Sequence, residues 1–224
     1  MADYSPPTLS DLWALIGRDL TDPDHKVFNT SQLTDYINGG IAELNRVRPL
    51  ETVVTTGYDG DSDTVPLGPL PIDDPFVVEM MDNDGRHAKY ILHAKSAATV
   101  MDGWDYFAHT LVLGPAYSEH VLRMCRDNGW TLRIWGYRGR DPLILDDDGA
   151  EFNALEEEYA VRLYARMEAY RSLNVDRGLF QQWQQQANNS DVSPTQLNGM
   201  LVTAEGSFDR QQKRLFLPRR LPMV

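Results

Sequence analysis

In DDDGAEFNALEEEYAVRLYARMEAY (residues 146–170) an acidic turn gives way to a helix. Phe152, Leu155, Tyr159, Leu163, Met167 and Tyr170 recur every three or four residues, the repeat of a helix with one apolar face. Glu156, Glu157 and Arg166 fall between them and are assigned to the wet face. Upstream, the pattern is different. Val53, Val54, Val65, Phe76, Val77 and Val78 lie in short runs broken by Gly60, Pro66, Pro69, Pro71 and Pro75. Asp82-Asn83-Asp84-Gly85 is a hairpin turn, and Tyr90-Ile91-Leu92, Thr110–Leu113 and Thr131–Trp135 read as further strands. Asp127-Asn128-Gly129 reads as a tight turn before the last of these. Residues 51–145 are therefore expected to form an antiparallel β domain of five to eight strands, a sandwich or barrel.

Before that domain the helical period holds. Thr8, with Asp11 three residues on, starts a helix carrying Leu9, Leu12, Trp13, Ile16 and Leu20. It stops at Thr21-Asp22-Pro23-Asp24-His25, because a proline biases the residue before it away from helical geometry. Asn29 or Thr30 caps a second helix with an apolar stripe of Leu33, Ile37, Ile41 and Leu44, ending at Pro49. Gly39-Gly40 inside it costs roughly 1 kcal/mol per glycine relative to alanine, which close helix–helix approach would offset. After the helix at 152–170, a piece with Phe180 and Trp183 follows. Ser193-Pro194-Thr195-Gln196 then opens a final helix with Leu197, Leu201, Ala204 and Phe208. Two N-terminal helices alone would leave their apolar stripes bare. The expected fold class is α+β: a discontinuous helical bundle (1–50 and 146–214), a β domain inserted at 51–145, and an extended arm at 215–224.

The chain has 224 residues and a net charge of −12, with 42% hydrophobic residues, as expected of a folded globular protein. The charge is uneven: −3 over residues 1–50, −9 over 51–150 and 0 over 151–224. Such acidity opposes general attraction to nucleic acid or an anionic membrane. Over the last dozen residues only basic charges occur, at Lys213, Arg214, Arg219 and Arg220. No apolar run approaches the roughly 18 residues of a membrane span, and the N-terminus lacks signal-peptide character, so a soluble protein with no membrane partner is expected.

Chemistry-bearing motifs are scarce. Cys125 is the only cysteine, which excludes an intramolecular disulfide and a Cys-based zinc site. Arg123 and Arg126 would lower its pKa, but a buried, inert thiol is expected. The histidines at 25, 87, 93, 109 and 120 show no metal-ligand spacing. Asp59, Asp61 and Asp63 begin like a calcium loop, but Thr64 and Leu70 stand where that loop needs Gly and Glu. Asp146-Asp147-Asp148 suits a turn and a helix N-terminus. No nucleophile motif or phosphate-binding glycine loop occurs, so no catalytic residue, metal or cofactor is expected.

The capped Leu/Trp helix, the Asp-Pro-Asp turn and the segment Leu33–Ile41 together resemble the N-terminus of the head-to-tail adaptor proteins of tailed bacteriophages, also called connector or head-completion proteins. The segments 158–165, 176–183 and 190–194 look like that family's long-helix and kink regions, and Leu132–Tyr137 before an Asp-Pro resembles its larger members. The resemblance covers roughly 8–50 and 130–215. It implies a structural virion protein of the neck, assembled in the host cytoplasm, that forms a ring of commonly twelve copies beneath the portal. Such a ring meets a tail-side protein and extends a channel through which DNA passes without specific binding. Acidic side chains lining that channel would repel passing phosphate; on the outside of the ring they would serve solubility instead. The arm carrying Lys213, Arg214, Leu215, Phe216, Leu217, Arg219, Arg220 and Leu221 is a candidate for docking on the portal or a neighbouring copy. Two other readings stand beside this one. The β domain would be a carbohydrate- or ligand-binding module presenting Trp104, Trp130, Trp135 and Tyr137, or the chain a hydrolase using acidic residues with His109 or His120.

Overall fold

A computed structural model describes residues 4–57, 63–68, 70–91, 103–186 and 189–216. The architecture is α+β, with N- and C-terminal helices flanking an antiparallel sheet region. The chain divides into two compact units. Among the described residues, one takes those up to Arg48 and Arg140–Phe216; the other takes those within Pro49–Gly139.

The helical unit contains α1 (Leu9–Asp19), α2 (Thr30–Val47), α4 (Leu155–Val175), α5 (Arg177–Gln186) and α6 (Pro194–Leu215). Three of the five begin with a reciprocal side-chain cap: Thr8 with Asp11, Asn29 with Gln32, and Ser193 with Gln196. Each cap satisfies backbone N–H groups that the first helical turn leaves unpaired. The turn after α1 has its own fastening. The buried Asp22 carboxylate accepts from the backbone N–H groups of Lys26, Val27 and Phe28 at 2.9, 3.0 and 2.9 Å. Trp183 of α5 donates from its indole to the Leu20 carbonyl at 2.9 Å, closing the end of α1.

The long helix α4 is the centre of this unit, because it buries residues on most of its circumference against α1, α2, α5 and α6. Its contact with α2 depends on Gly40, where an added Cβ would sit 3.2 Å from the Val161 backbone. A larger residue at 40 would push the helices apart, so the propensity cost of this glycine is offset by packing. Tyr159 and Leu155, expected on the apolar stripe, are exposed instead. Glu157, expected on the wet face, is 0% exposed. The reason is chemical: two arginines meet it inside the fold.

The β unit contains two antiparallel sheets. β1 (Leu50–Gly57), β7 (Thr131–Arg138), β3 (Asp74–Met81) and β4 (His87–Ile91) lie in the order β1-β7-β3-β4. β2 (Thr64–Pro66), β6 (Thr110–Leu113) and β5 (Trp104–Phe107) lie in the order β2-β6-β5. Val54, Val78 and Ile134 from the first sheet share one core with Val65, Leu111 and Leu113 from the second. The Asp82–Gly85 turn joins β3 to β4, with Asp82 N–H donating to the Arg86 carbonyl at 3.0 Å.

One element departs from the all-β reading of this segment. Helix α3 (Pro115–Asn128) lies between β6 and β7 and contributes Val121 and Cys125 to the β core. Asp127-Asn128-Gly129, expected as a tight turn before the last strand, is the end of this helix. Gly129 has φ 66°, the left-handed conformation that terminates helices and that glycine adopts without strain.

Candidate docking site

The arm proposed for docking is rooted in the last turn of α6. Along that helix Leu197, Leu201, Ala204, Phe208, Gln211 and Leu215 follow at alternating steps of four and three and face the core. Leu215 continues this series, is buried, and still belongs to the helix. The expectation of an extended arm beginning at 215 therefore shifts: the helix ends at Phe216, whose N–H donates to the Gln212 carbonyl at 2.9 Å. Lys213 and Arg214 are exposed on the same turn, where positive charge complements the partial negative charge of a helix C-terminus. Phe216 is 63% exposed and borders a shallow depression of about 280 Å³ with Val47, Gln212 and Lys213. Leu217, Arg219, Arg220 and Leu221 lie outside the described residues.

Two side chains seat this root. Gln211 donates to the Glu156 carbonyl at 3.0 Å, tying α6 to the start of α4. Gln212 donates to the Glu43 carboxylate of α2 at 3.2 Å. Beside them lies the most heavily buried ion-pair network among the described residues. Arg140 donates to Glu157 Oε2 at 2.8 Å, to the Glu151 carbonyl at 2.9 Å and to the Arg48 carbonyl at 2.6 Å. Arg48 Nε lies 2.8 Å from Glu157 Oε1. Asn45 completes the set, accepting from the Arg140 N–H at 2.9 Å and donating to its carbonyl at 3.1 Å. Burial pulls the Arg140 guanidinium below its ordinary pKa, and Glu157 opposes that shift. Arg48 and Arg140 are the residues where the chain leaves the helical unit and returns to it, so this network holds the two crossings together. No local motif marks it.

The aspartates at 146–148, expected at the N-terminus of the helix that follows them, meet the N-terminus of α1 instead, and through backbone carbonyls. The carbonyls of Asp148 and Asp146 accept from the N–H groups of Leu9 and Ser10 at 3.0 and 3.1 Å. The Asp148 carboxylate accepts from the N–H groups of Ile144 and Leu145, which hold it below the usual carboxylate range.

In the β unit the four aromatics do not form a common exposed platform. Trp104 is buried, and Tyr137 is buried against Phe76 with ring centroids 4.9 Å apart. Trp130 packs partly buried on the core. Trp135, 36% exposed, spends its indole N–H on Glu79 at 2.8 Å, and Arg133 also donates to Glu79. A cleft of about 590 Å³ runs past Thr56, Val65, Leu70, Cys125 and Trp130, and none of its described lining residues carries a charge. Burial pushes the Cys125 thiol up to about 11, despite Arg123 and Arg126 nearby in sequence. At pH 8 it is therefore neutral, and the native protein is expected to resist iodoacetamide while the denatured chain reacts fully. Rapid labelling of the folded protein would contradict this.

His109 meets Tyr106 at 3.1 Å, an interaction within one hairpin and not with an acidic partner. The side chains of His87, His93 and His120, and Asp59 and Asp61 of the calcium-like stretch, lie outside the described residues. Among the described residues no group of three His, Cys, Asp or Glu side chains gathers to hold a metal. No helix among them is long and apolar enough to cross a membrane.

The sequence pattern of the SU10 adaptor protein matches residues 7–203. The chain belongs to that family of phage head-to-tail adaptors. No curated protein matches it. The adaptor match runs from the first capped helix through the β unit and into α6, stopping ten residues short of Lys213. The role of this adaptor is structural.

Proposed function

We propose that the protein forms a ring in the virion neck, below the portal, that extends the DNA channel and connects the capsid to the tail. The family match across residues 7–203 carries this reading, because it takes in both units. The ring has twelve copies and docks on the portal through the basic root and arm that follow α6. On its other side it meets a tail-side neck or tail protein. The chain is assembled in the host cytoplasm and catalyses no reaction. Duplex DNA passes without being held, and the net charge of −12, concentrated as −9 within residues 51–150, suits such a conduit by repelling phosphate.

The test is direct imaging. Negative-stain micrographs of the purified chain mixed with the portal protein of the same phage are expected to show a ring coaxial with the portal. Particles that stay monomeric at micromolar concentration, alone and with portal, would overturn the reading.

A further inference from the structure

The loop that returns the chain to the helical unit presents two apolar side chains in a fixed position. Ile144 and Leu145 are 74% and 61% exposed, yet their backbone is tightly held. Asn38 of α2 pairs with both backbone groups of Leu143, donating and accepting at 2.9 Å, and the Leu143 side chain is buried. The next two N–H groups go to the Asp148 carboxylate at 2.7 and 2.8 Å, and Asp148 N–H returns to the Leu145 carbonyl at 2.9 Å. The side chains of Asp146 and Asp147 have no partner among the described residues. The loop is therefore a pre-formed apolar knob flanked by free negative charge, and its ordering cost is already met before any partner arrives.

A complementary groove lies on the same unit. Between α4 and α6, Tyr170, Met200, Thr203 and Ala204 border a depression of about 570 Å³ that also contains Arg166. Neighbouring cations on α4 have taken the nearby acids: Arg162 pairs with Asp19 and Glu158, and Arg171 with Glu168 and Glu205. Arg166 has no ion pair among the described residues, and its Nε is buried without a hydrogen bond. A partly apolar groove with an unpaired guanidinium matches an apolar knob with unpaired carboxylates.

We propose that this knob of one copy enters the α4–α6 groove of a second copy, with Ile144 and Leu145 on the apolar lining and Asp146 or Asp147 paired with Arg166. Knob and groove are different surfaces of the same chain, so each copy can offer its knob to one neighbour and its groove to another, and repeated head-to-tail this contact closes into a ring. The inference rests on the ring reading and adds to it the surface through which neighbours join.

Cysteines placed across the contact test it. The double variant Leu145→Cys, Thr203→Cys, assembled alone or on portal and treated with diamide, is expected to give a ladder of covalent multimers on a non-reducing gel; neither single variant should pass beyond a dimer. In parallel, Arg166→Glu is expected to weaken assembly at least tenfold by sedimentation. Adding Asp146→Lys and Asp147→Lys to it should restore most of the loss, with unchanged thermal melts showing that each chain folds. Assembly that proceeds with no ladder and no response to Arg166→Glu overturns this inference and leaves the ring reading standing. A ladder that stops at the covalent dimer overturns the head-to-tail geometry. If the unaltered chain never assembles, alone or with portal, the ring reading falls and this inference with it.

Discussion

Replacing Glu157 by alanine is expected to destabilise the helical unit by about 3–5 kcal/mol, the range for removing one partner from a buried ion pair. The size follows from what is left behind. Arg48 is partly exposed and can turn its guanidinium to water, but the Arg140 side chain is buried and held by two carbonyls. Its charge would stay in the interior with only the weaker attraction of Glu151 left, and the Asn153 N–H that donates to Glu157 at 2.9 Å would lose its acceptor. At roughly 2–4 °C per kcal/mol for a chain of this size, the melting temperature should fall by about 10 °C. Urea unfolding followed by far-UV circular dichroism reads the free energy. Arg140→Ala should cost a similar amount, and the double variant clearly less than the sum, because the second substitution removes the charge that the first exposed. A Glu157→Ala chain within 1 kcal/mol of the original would show that the network does not hold the two crossings.

How far these features could be read from the sequence depends on the range of the interactions behind them. Helix starts are local. Thr8 with Asp11 and Ser193 with Gln196 lie three residues apart, so their caps are visible in the chain and recur in the structure. Gly39-Gly40 announced a close contact, though its partner Val161 lies 121 residues further on and could not be named. The Glu157 network gives no such warning. Its members come from 45, 48, 140 and 157, and in a helical repeat a buried glutamate looks like any exposed one. Helix α3 was hidden differently: strand-like runs flank it, and its signals are only Pro115 at the first turn and Gly129 after the last. For Leu215 the signal was present. The stripe Leu197, Leu201, Ala204, Phe208 extends by further steps of three and four to Gln211 and Leu215, and the proline at 218 drew the boundary too early. The candidate docking residues stand out in the sequence as a charge imbalance, and among the described ones the structure separates Lys213, Arg214 and Phe216 at the surface from Leu215 in the core.

That separation gives two truncations opposite outcomes. Ending the chain after Phe216 removes nothing from the described core, so the fold should melt within about 1 °C of the full chain. Ending it after Arg214 removes Leu215 as well. That side chain is buried at the end of the α6 stripe and borders the cavity beside Arg48 and Glu157. Its loss should cost about 2–5 kcal/mol, as for a buried leucine cut back to alanine, and should open a path for water to the buried pair. Binding to immobilised portal then reports on the arm itself. The chain ending at Phe216 keeps Lys213, Arg214 and the exposed Phe216 but lacks Leu217, Arg219, Arg220 and Leu221. It is expected to bind at least tenfold more weakly while remaining folded, and the remaining binding should weaken further in salt, since two exposed cations supply it. Undiminished binding by this folded truncation would remove residues 217–224 from the docking site and leave its burden on the helical root alone.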